Sequence, residues 1–452
     1  MDISMNTMNV NIKQDNEKIL GDIRDRKPVL WLNDHHLPFK QLRGQLDVSV
    51  LDIKDAEARL KRFAPFIKEV FEDTKILDGL IESPISEISD FKSTLEKTYQ
   101  FRFPGKFLLK RDDLLPIAGT IKARGAIYEV LHHAEALAFE EGLLNSYEDD
   151  YTQFASKEFQ DFFKQYTVVV GTTGNLGISS GVMSAKIGFN VQVNMSHEAK
   201  QWKKDYLRSH GVQVFEHKTN FTEAVNKGRL SAETDPYAYF IDDEHSIQLF
   251  LGYTTAGPRL KQQLIDQDIL VDEDHPLMVY LPCGVGGSPG GVTYGLKQIY
   301  GDNVHCFFAQ PTHVPSMLLG QISQKFADIS VYDFGIDGLT VMDGLAVPRT
   351  SQIVAKLMEN IFNGGYTLTD EEANLMLTRL KDVEDIFVEP AATAGLVGPQ
   401  RLFATEAGKA YLQAHGLTDK VNNMTHIAWA TGGSMVPADE QVLFYENGKS
   451  NQ

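Results

Sequence analysis

Residues 277–291 read L-M-V-Y-L-P-C-G-V-G-G-S-P-G-G. A six-residue apolar run ends at Pro282 and passes straight into glycine, which predicts a buried strand over 277–282, then a loop, then a helix. Backbone amides in such a loop converge on an anion at the positive end of the following helix. Three sharper motifs overlap these residues and each fails. A nucleotide-binding Walker loop ends in Gly-Lys-Ser/Thr, and no lysine is present. A dinucleotide G-x-G-x-x-G beginning at Gly284 needs glycine where Pro289 stands. The nucleophile elbow G-x-S-x-G matches in form at Gly286, Ser288 and Gly290. In that motif the residue after the serine must donate its N–H to an oxyanion, and Pro289 has none. What survives is a loop for one phosphate group, Gly284, Val285, Gly286, Gly287 and Ser288, without a serine nucleophile.

Outward from this loop the same unit repeats. Short apolar runs at 107–109, 166–170, 190–195, 212–215, 237–241, 304–309 and 427–430 alternate with helical stretches. Those stretches start near Lys122 and lie around 222–233, 246–265 and 315–325. Strands separated by helices predict βαβ units and parallel sheet, an α/β fold. Residues 55–75 show helical spacing that Pro65 is expected to interrupt. The first 25 or so residues are polar and are expected to be poorly ordered at the tip.

Composition narrows the function. Lys and Arg number 43 against 61 Asp and Glu, a formal charge of −18. That is the wrong sign for binding nucleic acid or an anionic membrane surface. No apolar run approaches the length of a membrane helix, and the N-terminus shows no secretory pattern. Two cysteines, Cys283 and Cys306, make neither a disulfide framework nor a zinc site. A soluble cytoplasmic enzyme is the expectation.

A second strand–loop–helix junction, G-T-T-G-N-L-G at 171–177, offers threonine hydroxyls, Asn175 and helix-terminal amides to a small carboxylate. Lys122, in P-I-A-G-T-I-K-A-R-G-A-I-Y, stands between turn residues and an apolar helix. A lysine at the positive end of a helix dipole among apolar neighbours is expected to titrate low and to act as a free amine or Schiff base. An imine-forming lysine, a loop for one phosphate and a second anion loop are together what pyridoxal phosphate needs. Asp242 and Asp243, ending a predicted strand where parallel sheets place their sites, could hold a hydroxyl; a solvated turn or helix cap is the competing reading.

The residues also carry a resemblance. K-R-D-D-L-L-P-I-A-G-T-I-K-A-R-G-A-I-Y-E-V-L at 110–131, G-T-T-G-N-L-G at 171–177, W-K-K-D-Y-L-R-S-H-G-V at 202–212, Y-F-I-D-D-E at 239–244, the loop at 281–292 and W-A-T-G-G at 429–433 are similar, in kind and order, to segments of the fold-type II pyridoxal-phosphate enzymes. That family holds the serine and threonine dehydratases and the tryptophan synthase β subunit, and the resemblance spans about residues 100–440. It implies two open, mostly parallel twisted sheets flanked by helices, behind a helical N-terminal extension. The large cofactor-binding domain would be 1–130 with 237–452, and the small α/β domain 131–236. Lys122 would bind the cofactor covalently, Asn175 would meet its 3′-oxygen, residues 284–288 its phosphate and Thr431 its ring nitrogen. Thr172, Thr173 and Gly174 would hold the substrate carboxylate. The activity implied is α,β-elimination of D-serine to pyruvate and ammonia by a monomer, with D-threonine slower; the alternatives are elimination from L-serine or L-threonine on the same fold, or a non-catalytic binding protein of that fold. Thr120, Thr172 and Ser288 are mild departures from the family pattern. Gln310 stands where related enzymes carry a glutamate for a monovalent cation (K+ or Na+), and an amide offers one oxygen but no charge.

Overall fold

The computed structural model describes residues 14–450 apart from 45, 173, 198, 219 and 220; for 221–224 it describes the backbone alone. Eleven strands are present among them: β1 (Leu30–Leu32), β2 (Ile85–Glu87), β3 (Lys106–Arg111), β4 (Thr167–Gly171), β5 (Asn190–Ser196), β6 (Gln213–His217), β7 (Ala238–Ile241), β8 (Leu277–Pro282), β9 (Val304–Pro311), β10 (Gly364–Leu368) and β11 (Thr425–Ala430).

They form two sheets. The larger runs β1-β10-β9-β8-β11-β3-β2 and the smaller β6-β5-β4-β7. In the larger sheet β1 and β2 are antiparallel to their neighbours, and the five strands between them are parallel. The smaller sheet is parallel throughout. Strands β8, β9, β10 and β11 are buried along their whole length, as expected where helices cover both faces of a parallel sheet. From β8 the chain steps to β9 and β10 on one side, while β11 and β3 lie on the other. Loops leaving the carboxyl ends of β3, β11 and β8 therefore open side by side at a switch in strand order, the place where α/β sheets hold ligands.

Several expectations need correcting. Helix Val50–Val70 runs through Pro65 without a break. Pro65 sits on the exposed face, while Ile53, Leu60, Phe63, Phe66 and Ile67 pack the opposite one, so one missing N–H is outweighed by the buried face. The expected helix 246–265 is two, Ile247–Thr254 and Ala256–Asp266. The helix after Lys122 opens with a π-helical turn, Ala123–Ile127, before the α-helix Tyr128–Glu140. The expectation for the N-terminal tip falls on residues 1–13, outside the described ones; beyond them Asn16–Arg24 is helical, capped by Asp15, whose side chain accepts from the Lys18 N–H. The strand at 238–241 lies beyond the expected small-domain limit at 236, yet it pairs with β4 in the smaller sheet.

Candidate active site

The turn carrying Lys122 is held from behind by a buried ionic network. Arg124 donates to both oxygens of Asp112, each at 2.7 Å, and to Glu82 at 3.0 and 2.5 Å. Lys110 Nζ reaches Glu82 at 2.8 Å, and Trp429 Nε1 donates to Asp112 at 2.7 Å. Burial resists ionisation of Glu82, but Arg124, Lys110 and Arg259 hold it well below the usual carboxylate range. Thr120 Oγ1 and the Ile121 N–H both donate to the Thr431 carbonyl, at 2.9 and 2.8 Å. The Lys122 turn is thereby fastened to the end of β11.

One pocket collects most of the expected residues: Lys122, Thr172, Asn175, Asp243, Gly284 to Ser288 and Thr431. Lys122 is 19% exposed and its Nζ lies 2.8 Å from Asp243 Oδ2. Its surroundings are thus not apolar alone, as expected from sequence, because β7 ends by delivering a carboxylate to the amine. Asp243 Oδ1 and the Tyr253 hydroxyl are buried without a hydrogen-bond partner among the described residues. Asp242 does not line the pocket. It accepts from Arg229 at 2.9 Å and from the Glu244 N–H at 3.0 Å, so it closes the turn after β7.

The loop after β8 is shaped for an anion. Gly286 has φ +112°, and a Cβ there would stand 2.5 Å from Met317 Cε, so glycine is required. The Val285 carbonyl is drawn away by the Ser351 N–H and the Thr350 hydroxyl, both at 2.9 Å. First-turn amides of helix Gly287–Tyr300 have no acceptor within the helix. A phosphate fits this cradle.

At the loop after β4, the Thr172 hydroxyl accepts from the Gly174 N–H at 2.9 Å, which engages that amide. Thr173 lies outside the described residues. Asn175 Nδ2 donates to Glu389 Oε1 at 3.1 Å. Gln310 is fully buried outside this pocket. Its oxygen accepts from the Leu318 N–H at 3.0 Å, and its amide nitrogen donates to the Cys283 carbonyl at 3.1 Å.

Two charged pocket residues escape the sequence reading. Glu389 stands ahead of the apolar 3-10 helix Pro390–Val397 and beside Gly432. Burial pushes its carboxyl up to about 7, against the pull of Lys203 and of the Asn175 hydrogen bond. Lys203 is the other; its side chain is 4% exposed and its Nζ lies 3.1 Å from Asp343 Oδ2. The signals were faint. Lys203 and Leu207 share one face of helix Gln201–Ser209, which places a lysine at a core position.

A lysine amine, a one-phosphate cradle and neutral hydrogen-bonding groups between them fit pyridoxal phosphate. Residues 93–410 match the family model described as pyridoxal-phosphate dependent enzyme, and the chain belongs to that family. The chain is 51% identical over 430 residues to a protein of Geobacillus stearothermophilus named probable D-serine dehydratase, covering 95% of this chain and 94% of that one. It is 53% identical over 430 residues to a protein of the same name from Bacillus mycoides (strain KBAB4), covering 95% and 96%. Among solved structures, diaminopropionate ammonia lyase from Escherichia coli in complex with D-serine superposes with a TM-score of 0.70 at 17% identity, covering 94% of this chain and 98% of that one. The processed form of threonine deaminase isoform 2 from Solanum lycopersicum does so with 0.56 at 18%, covering 88% and 89%. At these identities the two structures establish the fold alone.

Proposed function

We propose that this protein is a D-serine ammonia-lyase, converting D-serine to pyruvate and ammonia, with D-threonine a slower substrate. The observation that carries the reading is the Lys122–Asp243 pair at 2.8 Å inside the pocket that also holds the phosphate cradle. The relatives' printed name supplies the substrate.

Pyridoxal phosphate, when bound, supplies an acceptor for the electrons of the substrate Cα–H bond. Lys122 is the residue that would carry it, residues 284–288 would hold its phosphate, Asn175 its 3′-oxygen and Thr431 its ring nitrogen. A hydroxyl at that nitrogen cannot stabilise its protonated form as a carboxylate would, which favours elimination over side reactions. The chain's own work is proton transfer. Lys122 Nζ takes the Cα proton. Hydroxide is a poor leaving group and needs a proton. Asp243, within reach of Nζ, holds the β-hydroxyl and passes that proton on, so that water leaves. The freed enamine takes up water to give pyruvate and ammonia. Gln310, its oxygen engaged by Leu318, offers a monovalent cation no charge. Any ion there would rest on other oxygens.

We infer further that the protein acts as a cytoplasmic monomer. Both cysteines are free and buried, as suits a reducing compartment. No helix among the described residues is long and apolar enough to cross a membrane. Light scattering checks the mass. Pyruvate release from D-serine and from L-serine, with and without added cofactor, checks the reaction; faster turnover of L-serine overturns the D-specific reading.

A further inference from the structure

Besides Lys122, Lys203 is the only cationic side chain lining the pocket among the described residues. It reaches in from helix Gln201–Ser209, which follows β5 in the smaller sheet. An ammonium this deeply buried needs a counter-charge. Its partner, Asp343 Oδ2 at 3.1 Å, belongs to the chain segment between β9 and β10 of the larger sheet and is 40% exposed. Burial works against the charge on Lys203, but Asp343 and Glu389 outweigh it and its pKa rises, so it enters the pocket as an ammonium. Its stem lies on Gly174: a Cβ there would collide with Lys203 Cδ and stand 3.2 Å from Nζ. Gly174 belongs to the loop read as the carboxylate site, and its own N–H is already bound by Thr172. The positive charge at that loop is therefore the lysine's.

We propose that Lys203 is a specificity-determining residue that binds the substrate's α-carboxylate, exchanging Asp343 for it. This rests on the proposed function only in requiring an amino acid with a free carboxylate; the enantiomer does not matter. The exchange is chemically even. Lys203 keeps an anionic partner throughout, and Asp343, already half in water, loses little by returning to it. Glu389, whose charge also acts on Lys203, does not compete below about pH 7, where burial keeps its carboxyl protonated. A plain structural role makes a different prediction. If the Lys203–Asp343 pair only pins the two sheets together, removing either partner does the same harm. If Lys203 binds substrate, the two removals move apparent affinity in opposite directions, because Asp343 is then the competitor.

The test uses holoenzyme of the parent and of Lys203→Gln, Lys203→Arg and Asp343→Asn. Steady-state KM and kcat are measured with D-serine, and binding is followed by cofactor absorbance with D-serine against D-serinamide, which lacks the carboxylate. Lys203→Gln should raise KM about tenfold or more, as expected for losing a charged hydrogen bond, with kcat less affected. It should also erase the preference for acid over amide, and Lys203→Arg should recover part of both. Asp343→Asn should leave KM unchanged or lower it a few-fold. Equal weakening by Lys203→Gln and Asp343→Asn overturns the proposal, as does an undiminished acid-over-amide preference in Lys203→Gln. Should Lys203→Gln not fold, a KM raised by Asp343→Asn alone is enough to reject it. If the parent turns over L-serine instead, the same comparison with L-serine and its amide still decides the role of Lys203, while the D-specific reading falls separately.

Discussion

The two sheets face one pocket but are buried very differently. In the larger, β8, β9, β10 and β11 have no exposed residue, and the loops that leave them carry the phosphate cradle and Thr431. In the smaller, β6 is largely exposed and β7 mostly half-buried. That sheet supplies Thr172, Lys203 and Asp243, the groups proposed for substrate and proton, together with Asn175, proposed for the cofactor's 3′-oxygen. On the proposed reading, most of the cofactor's contacts rest on the fully buried strands, and the groups that exchange partners rest on the less buried sheet. The contrast ties stability to one half and substrate recognition to the other.

The harshest way to break that contrast is to remove the proposed covalent attachment point, Lys122. Lys122→Ala should lower turnover by more than about 10³-fold, since it removes both the attachment and the base. Borohydride reduction of the parent followed by peptide mapping should label Lys122; label on another lysine, Lys203 included, sinks the assignment. Next in size is the network behind the turn. Arg124→Met leaves buried Asp112 without its ion-pair partner, while Lys110 and Arg259 still face Glu82; the expected loss is about 3–5 kcal/mol in the free energy of unfolding measured with denaturant. A loss under about 1 kcal/mol would show that the larger sheet does not depend on this network.

The central strands of both sheets were legible because continuous apolar runs bounded by glycine carry their own evidence. The runs at 277–282 and 427–430 lie in β8 and β11. β1 and β2 were not, because three residues hold no pattern, and β10 begins with two glycines. The glycine turn after β8 was legible, and Gly286 there has a φ of +112° that other residues rarely adopt. Asp112 and Arg124 lay inside the segment quoted for Lys122, yet their pairing is made by a fold that a single sequence does not display. Glu389, Asp343 and Lys203 are ordinary charged residues far apart in the chain. Only the topology makes them neighbours.

A smaller effect separates two adjacent acids. Asp243 touches Lys122, whereas Asp242 is bound by Arg229 and closes a turn. Asp243→Asn should lower kcat/KM for D-serine about 100-fold, within the usual range for a proton-transfer group. Asp242→Asn should cost less than about fivefold in kcat/KM, and act on stability instead, through its half-buried pair with Arg229. If the two variants lose activity equally, Asp243 has no special place in proton transfer and the smaller sheet contributes no acid to the pocket.

The smallest effect lies at the seam. Glu129, on helix Tyr128–Glu140, accepts a 2.8 Å hydrogen bond from the hydroxyl of Tyr239 on β7, joining the helix after Lys122 to the smaller sheet. Burial pushes Glu129 up to about 7, and Asp243 and Asp242 add to this against the hydrogen bonds from Ser246 and Tyr239. The sign follows from linkage. In the unfolded chain the carboxyl ionises near its ordinary 4.5, while in the native protein it stays protonated to about 7. Its contribution to stability is therefore full below about 4.5, falls as pH rises, and is lost once pH passes about 7. Glu129→Gln cannot ionise and keeps an oxygen for Tyr239. The variant should match the parent near pH 4.5, gain on it through the interval up to pH 7 and hold a constant advantage above. The plateau should be about 2 kcal/mol, less than the full shift implies because a charged carboxylate at the seam can draw in water. Urea midpoints at several pH values measure this. An advantage independent of pH would mean that Glu129 is ionised in the native state, and that the seam carries a charge between the two sheets instead of a proton.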